Sequence, residues 1–247
     1  MIGCGCNVCT SSDPRNRRLR PSLWIRHAGS NILIDAATDF RLQALENGLA
    51  QVDSILFTHA HADHCLGLDD MRIVVDRQRR QVPVHASTKT LEVLRRMFGY
   101  MFSNPMWESD VPRLRAVPVD GRFELCGLWV EPVEVLHHKM TVLAYRFGPA
   151  TPGDKPVIAA AYVTDVSEIP PASEERLRDL ELLIISALRY KPHVKHFSLE
   201  QTLDFALRVG ARRVLLTHMS HDLDYSRLLE ELPERVEPAF DGMTVEL

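Results

Sequence analysis

A surplus of positive charge, a long apolar run and a leader-like start are all missing from this 247-residue chain. Lysine and arginine number 29 against 33 aspartates and glutamates, a formal net charge of −4. No global basic field is therefore present to draw in nucleic acid or an acidic membrane surface. No apolar stretch approaches the ~20 residues of a membrane span, and MIGCGCNVCTSSDPRNRRLR lacks the apolar centre of a secretory signal. A cytoplasmic location without membrane association is the expectation. Cysteine is scarce as well: five residues, an odd count, with Cys4, Cys6 and Cys9 crowded into one short loop. That clustering suits metal ligation in a reducing compartment better than a disulfide framework. Repeats, low-complexity tracts and convincing linkers are also missing. With 45% hydrophobic residues the chain has ample apolar content for a core. It reads as one domain over residues 1–247, opening with a cysteine loop and an arginine-rich segment at 1–22.

What is present is a string of strand and helix patterns. Leu23–Arg26 and Asn31–Ile34 flank Gly29-Ser30, which predicts a hairpin. Residues 39–50 carry helical spacing and 53–58 a buried strand. Val82–His85 reads as a short edge strand, and Ser87 as the cap of a helix reaching Phe98. Strand-like runs follow at 113–119, 128–136, 141–147 and 156–163. Helices are then predicted at 173–180, 198–209 and 222–232, strands at 182–186 and 213–217, and a closing strand near 243–245. Early hairpins followed by strand–helix units indicate an α/β domain.

Several apolar runs end in metal-capable side chains. Ile55-Leu56-Phe57-Thr58 precedes His59, Ala161-Tyr162-Val163-Thr164 precedes Asp165, Val214-Leu215-Leu216-Thr217 precedes His218, and Val133–Leu136 precedes His137-His138. In open sheets functional residues gather where loops leave the strand ends. Imidazoles and carboxylates without thiolates suit Zn(II), Mn(II) or Fe(II). In HAHADH, His59 and His61 face one way if extended, whereas Asp63 and His64 lie where the chain turns. Two adjacent ions fit that pattern: one on His59, His61 and a distant histidine, the other on Asp63, His64 and another, with a carboxylate between them. His137 or His138, His218 and Asp165 are available for those places.

Thr58-His59-Ala60-His61-Ala62-Asp63-His64 with Gly67 resembles the signature of the metallo-β-lactamase superfamily. The resemblance implies an αββα four-layer sandwich with a dinuclear site at one rim. It puts His59, His61 and His137 on one ion, Asp63, His64 and His218 on the other, and Asp165 between them as a bridge. Asp35, at the end of Ile32-Leu33-Ile34, matches a strand-end aspartate that supports the site; taken alone it reads as a turn cap. The cysteine loop Cys4-Gly5-Cys6-Asn7-Val8-Cys9 supplies three of four ligands for a closed structural zinc, and His221 is the best candidate for the fourth. The combination is similar to the phosphoribosyl cyclic phosphate phosphodiesterase branch of bacterial phosphonate degradation. Asp13–Arg18, Leu136-His137-His138-Lys139 and Phe240–Met243 match that branch too. It normally places a strand and a glycine-rich turn before the cysteines, whereas here Met1-Ile2-Gly3 leads straight into Cys4. The usual first strand is therefore expected to be missing, through a mis-assigned start or a shortened chain, with an exposed sheet edge through which a homodimer could form.

The resemblance implies hydrolysis of a small cyclic phosphodiester such as phosphoribosyl 1,2-cyclic phosphate. Hydroxide shared by two Zn or Mn ions would attack, Asp63 and Asp165 would hold the ions, and His196 would be the acid for the leaving oxygen. His193 and His196 otherwise read as polar loop residues, and Arg15, Arg17, Arg18 and Arg20 as a solvated run. Three other readings share these motifs. A tRNA 3′-end endoribonuclease usually carries a gripping insertion not seen here. A thiolester or lactone hydrolase would use the same metals. A non-catalytic partner protein would resemble the pyrroloquinoline quinone synthesis relative.

Overall fold

The computed structural model describes residues 1–103, 113–150 and 159–247. The chain divides into two compact units, Arg20–Pro132 and Met1–Leu19 with Val133–Leu247. No helix among the described residues is long and apolar enough to cross a membrane.

In the first unit the order is β1 (Leu23–His27), β2 (Ser30–Ile34), α1 (Phe40–Asn47), β3 (Ser54–Leu56), α2 (Ala62–Cys65), α3 (Met71–Gln78), β4 (Val82–Ala86), α4 (Thr88–Met97), α5 (Gly99–Phe102), β5 (Leu114–Pro118) and β6 (Phe123–Leu125). β1 to β5 form a sheet in sequence order. Only β1 and β2 pair antiparallel, so β2 to β5 all end at the same rim. Leu33, Ile55, Phe57, Val82 and Val84 pack on one sheet face with Leu68, Met71 and Val75 of the following turns and with Leu91 and Leu94 of α4. Burying a leucine this fully contributes about 1.5–3 kcal/mol. Ser87 caps α4, its Oγ accepting from Thr90 N at 3.2 Å. The first hairpin forms, but its turn lies one residue earlier than expected. His27 pairs with Ser30, and both Ala28 (φ 47°) and Gly29 (φ 80°) are left-handed, the twist that a two-residue hairpin turn requires.

β4 is an interior strand between β3 and β5, although Pro83 suggests an edge; its carbonyl accepts from Ser54 Oγ at 3.3 Å. His85 on β4 is 7% exposed. Its ring stacks on Phe123 at 5.0 Å, and neither ring nitrogen has a hydrogen-bond partner among the described residues. Burial, and then the nearby Arg115, push its pKa down to about 4. The folded state therefore holds His85 neutral, while the unfolded chain takes up a proton near pH 6.5. Stability from this residue is complete above about pH 7 and is lost as the pH falls toward 4. Between pH 7 and 5 the loss is roughly 2 kcal/mol. His85→Phe should keep the stack and remove that dependence. Urea midpoints at pH 7 and 5 check this, and parallel shifts in parent and variant would refute it.

β7 (Leu128–His137) runs across the boundary between the units. In the second unit follow β8 (Met140–Pro149), β9 (Ala160–Val163), α6 (Pro171–Arg176), β10 (Leu182–Ser186), α7 (Leu199–Val209), β11 (Arg213–Thr217), α8 (Tyr225–Glu231) and β12 (Val236–Pro238). A seven-stranded sheet has the order β12-β11-β10-β9-β8-β7-β6. β9 to β12 are mutually parallel, so the residues after β9, β10 and β11 share one rim. The closing strand is Val236–Pro238 rather than 243–245. Its partner β11 lends it register through Leu216↔Pro238, and Pro233 just before it and Pro238 at its end hide it in the sequence. Ser198 caps α7 with a full capping box to Gln201, and Gly210 (φ 69°) ends it, as helix-terminus chemistry predicts. Part of the strand expected at 156–163 lies outside the described residues.

Candidate functional site

In the first unit the rim residues are arranged around Asp35, which directly follows β2 and is fully buried. Its carboxylate accepts from Thr58 N at 2.9 Å, from Thr58 Oγ1 at 2.8 Å and from His64 Nδ1 at 2.8 Å. A carboxylate only accepts, so His64 Nδ1 carries the proton and its Nε2 keeps the lone pair. The Thr58 hydroxyl spends its one hydrogen on Asp35. It must therefore accept from His59 Nδ1, 2.9 Å away, which leaves Nε2 of His59 as a ligand atom as well. The His59 ring lies 4.5 Å from His61 and 4.3 Å from His64, centroid to centroid. His61 is extended (ψ 150°) and immediately precedes α2, which carries Asp63 and His64. The chain thus turns from extended to helical between the two pairs, as the motif spacing predicts. Asp63 Oδ2 lies 3.8 Å from His64 Nε2.

Gly67 holds this loop against the Asp35 segment. Ala36 N donates to His64 O, and Gly67 N to Ala36 O, both at 2.9 Å. A Cβ on Gly67 would lie 1.9 Å from Ala37 O and 2.6 Å from Phe40 Cβ, so only glycine fits.

In the second unit, parallel pairing of β9, β10 and β11 aligns Asp165 and His218 at one rim. Asp165 is buried. Its Oδ2 faces His218 Nε2 at 3.4 Å, while Oδ1 faces His196 Nδ1 at 3.3 Å and His137 Nε2 at 4.0 Å. The two oxygens therefore address different imidazoles, the arrangement a bridging carboxylate needs. His137 Nδ1 donates to Lys195 O at 2.8 Å, so its Nε2 lone pair is turned toward the Asp165 oxygen. Two facing acceptors at such a separation leave room for a cation at about 2.0–2.2 Å from each. His138 is exposed, and its backbone N donates to Ser167 Oγ, whereas buried His137 is the one of the pair that faces Asp165.

His196 packs between His137 and His218, with ring centroids at 4.7 and 5.0 Å. Burial, opposed by Asp165 and reinforced by His218 and His137, pushes its pKa down to about 4. The ring is neutral at pH 7 and still carries one N–H.

Asp35, Asp165 and His218 all have left-handed backbones, φ 61°, 50° and 53°. Such conformations cost on the order of 1–3 kcal/mol each and cluster at functional sites. Here each one turns the chain sharply off a strand end.

A third group unites Cys4, Cys6, Cys9 and His221, whose ligand atoms all lie within 4.8 Å of one another. His221 Nδ1 is 3.3 Å from Cys4 Sγ and 3.4 Å from Cys6 Sγ. A tetrahedral zinc with ordinary Zn–S and Zn–N lengths sets that edge at about 3.5 Å. The backbone N–H of Cys9, and then His221, lower the Cys6 pKa to about 6, toward the thiolate that binds metal. The donor chemistry of all three groups fits divalent metal ions.

The roles of Thr58 and of the Lys195 carbonyl escape a reading of the sequence, because neither is metal-capable itself. The arginine run is only partly solvated. Arg15 pairs with Asp13 at 2.8 Å, Arg20 with Asp39 at 3.2 Å, and Arg18 donates to Ser220 O at 2.8 Å.

Residues 30–219 match the beta-lactamase superfamily domain. A crystal structure described as a new diphosphatase from the PhnP family shares 39% identity and a TM-score of 0.87, with 98% of this chain and 89% of that one covered. The octanoyltransferase of Porphyromonas gingivalis is 35% identical over 98% of this chain, but the match spans only 48% of that longer protein. Ribonuclease Z of Myxococcus xanthus is 25% identical, covering 96% of this chain and 95% of its own length. With the matched domain covering most of its length and the rim residues assembled as described, this chain belongs to the beta-lactamase superfamily of metallo-β-lactamase-fold hydrolases and, within it, to the PhnP family.

Proposed function

We propose that the chain is a dinuclear metal phosphodiesterase acting on a small cyclic phosphodiester such as phosphoribosyl 1,2-cyclic phosphate. In this reading His59, His61 and His137 would hold one ion and Asp63, His64 and His218 the other, with Asp165 available to both; Zn or Mn suits the donors. The observation that carries it is the division of Asp165, one oxygen toward His137 and the other toward His218. The relative described as a diphosphatase, also a hydrolase of phosphate linkages, supports it. When bound, the ions supply Lewis acidity toward the phosphoryl oxygens and the attacking water. The chain does the rest. Asp35, Thr58 and the Lys195 carbonyl hold three imidazoles with Nε2 outward, and burial keeps their rotamers fixed. His196, neutral in the free chain, would serve as the acid for the leaving oxygen once protonated, a state that the negative charge of a bound phosphodiester favours. Cys4, Cys6, Cys9 and His221 hold a structural zinc that ties residues 1–9 to the segment after His218.

A second reading, cleavage of an RNA phosphodiester, is favoured by the relatives named Ribonuclease Z. The net charge of −4 works against it. A single metal-loaded preparation tested on a cyclic phosphodiester, a thiolester and a tRNA precursor separates the readings. The small cyclic ester should be turned over with kcat/KM at least about 10²-fold above the others, a difference of about 2.7 kcal/mol in transition-state binding. Preference for the tRNA precursor would overturn the first reading in favour of the second.

A further inference from the structure

The segment that carries His218 and His221 has no regular structure of its own. Residues 218–224 are neither helix nor strand, and the first of them is held in a left-handed conformation. Residues 11–18 of the same unit hold it at Ser220 O and at its far end, Asp224 and Tyr225. Arg18 Nη1 donates to Ser220 O at 2.8 Å. Asn16, buried, accepts on Oδ1 from Tyr225 N at 2.9 Å and donates from Nδ2 to Asp224 Oδ2 at 2.8 Å and to Ser11 Oγ at 3.1 Å. The other oxygen of Asp224 caps α8 through Arg227 N at 3.0 Å. Arg18 Nη2 reaches Asn16 Oδ1 at 3.4 Å, joining the two side chains. On the opposite side Ser220 N donates to Leu188 O at 2.8 Å. The backbone at Ser220 is thus gripped from both sides, two residues beyond His218.

We propose that Arg18 and Asn16 are positioning residues for His218: they form a clip that holds the left-handed turn after β11 so that the imidazole faces Asp165. The inference rests on reading His218 as a metal ligand. Docking of a substrate phosphate by this arginine run is a weaker use of it. Arg15 is directed at Asp13 and the two terminal nitrogens of Arg18 at Ser220 O and Asn16 Oδ1, and Arg18 lies partly buried rather than presented to solvent. Without the clip the turn is free to relax its strain, and His218 swings away from the carboxylate. Groups bonded directly to a ligating side chain control metal affinity by about 10–100-fold, and a clip on the backbone two residues away is expected at the low end of that range.

The test uses the full chain, stripped of metal and reloaded with Co(II) at buffered free concentrations. Thiolate-to-cobalt charge transfer reports the cysteine site alone, so d–d changes that occur with the charge-transfer band unchanged report the His/Asp ligands. Arg18→Gln should weaken the ion bound through His218 by about tenfold and shift the d–d bands, with the thiolate band kept. Arg18→Lys, which retains one donor, should fall between variant and parent. Arg17→Gln, at an exposed position, should match the parent. Parental Co(II) affinity and d–d bands in a folded Arg18→Gln overturn the proposal. Should that variant not fold, the same parental values in Arg18→Lys overturn it. His218→Ala keeps the two questions apart. If it retains both ions, the ligand reading fails; if it loses one while the Arg18 variants lose none, the clip alone fails.

Discussion

Asp165→Asn should lower hydrolysis of bis(p-nitrophenyl) phosphate by the metal-loaded protein by on the order of 10³-fold, with thermal unfolding of the metal-free protein little changed. Asparagine keeps the shape of the side chain and tolerates the left-handed backbone that Asp165 adopts at φ 50°. What it removes is charge and one of two acceptor oxygens. Those oxygens face His218 at 3.4 Å and His196 at 3.3 Å, so the loss falls on both sides at once. Asp165→Ala adds the backbone penalty of a non-glycine residue with no compensating side chain, about 1–2 kcal/mol, and serves as the harsher companion. Metal counting on both variants accompanies the rates. Full activity in Asp165→Asn with two ions retained would remove the bridging role and the dinuclear mechanism with it.

Gly67→Ala is the second large effect, and it acts on stability. The added methyl would meet Ala37 O at 1.9 Å and Ala36 O at 3.0 Å. Both are backbone atoms of the segment whose Asp35 orients Thr58 and His64. No side-chain rotation relieves such a contact, so the loop must move. A cost of about 3 kcal/mol or more is expected, lowering Tm by roughly 6–12 °C for a chain of this size. The comparison is Gly48→Ala, at a helix end with nothing within 4 Å of the new Cβ but φ 69°, where about 1 kcal/mol is expected. Calorimetry on metal-free protein avoids mixing in the linkage of metal binding to stability. Equal losses in the two variants would show that the contact at Gly67 is relieved cheaply.

Legibility in the sequence followed how local each interaction is. HAHADH announces itself because four metal-capable side chains occupy six positions, and its extended-to-helical switch follows from spacing alone. Strands β10 and β11 and the Ser87 cap are readable for the same reason, apolar period and cap chemistry agreeing in place. Asp35 was ambiguous because its partners Thr58 and His64 lie 23 and 29 residues away; a turn cap looks identical in one dimension. Arg18 reads as part of a solvated run, and the role of Asn16 goes unread, because their partners lie more than 200 positions distant. β4 looked like an edge because proline usually marks one, yet a neighbour's hydroxyl meets the Pro83 carbonyl. Val236–Pro238 stays hidden because a three-residue strand that itself ends in proline carries almost no periodic signal.

The unusual dihedrals at the ends of β2, β9 and β11 bear on how such a protein can drift. Aspartate and histidine, along with asparagine and glycine, are the residue types that enter the left-handed region with least difficulty. Shape and chemistry therefore filter substitutions at Asp35, Asp165 and His218 in the same direction. A descendant that had abandoned hydrolysis would still be under pressure to keep those letters, simply to turn its corners. Their persistence in a distant copy would testify to geometry before it testified to turnover.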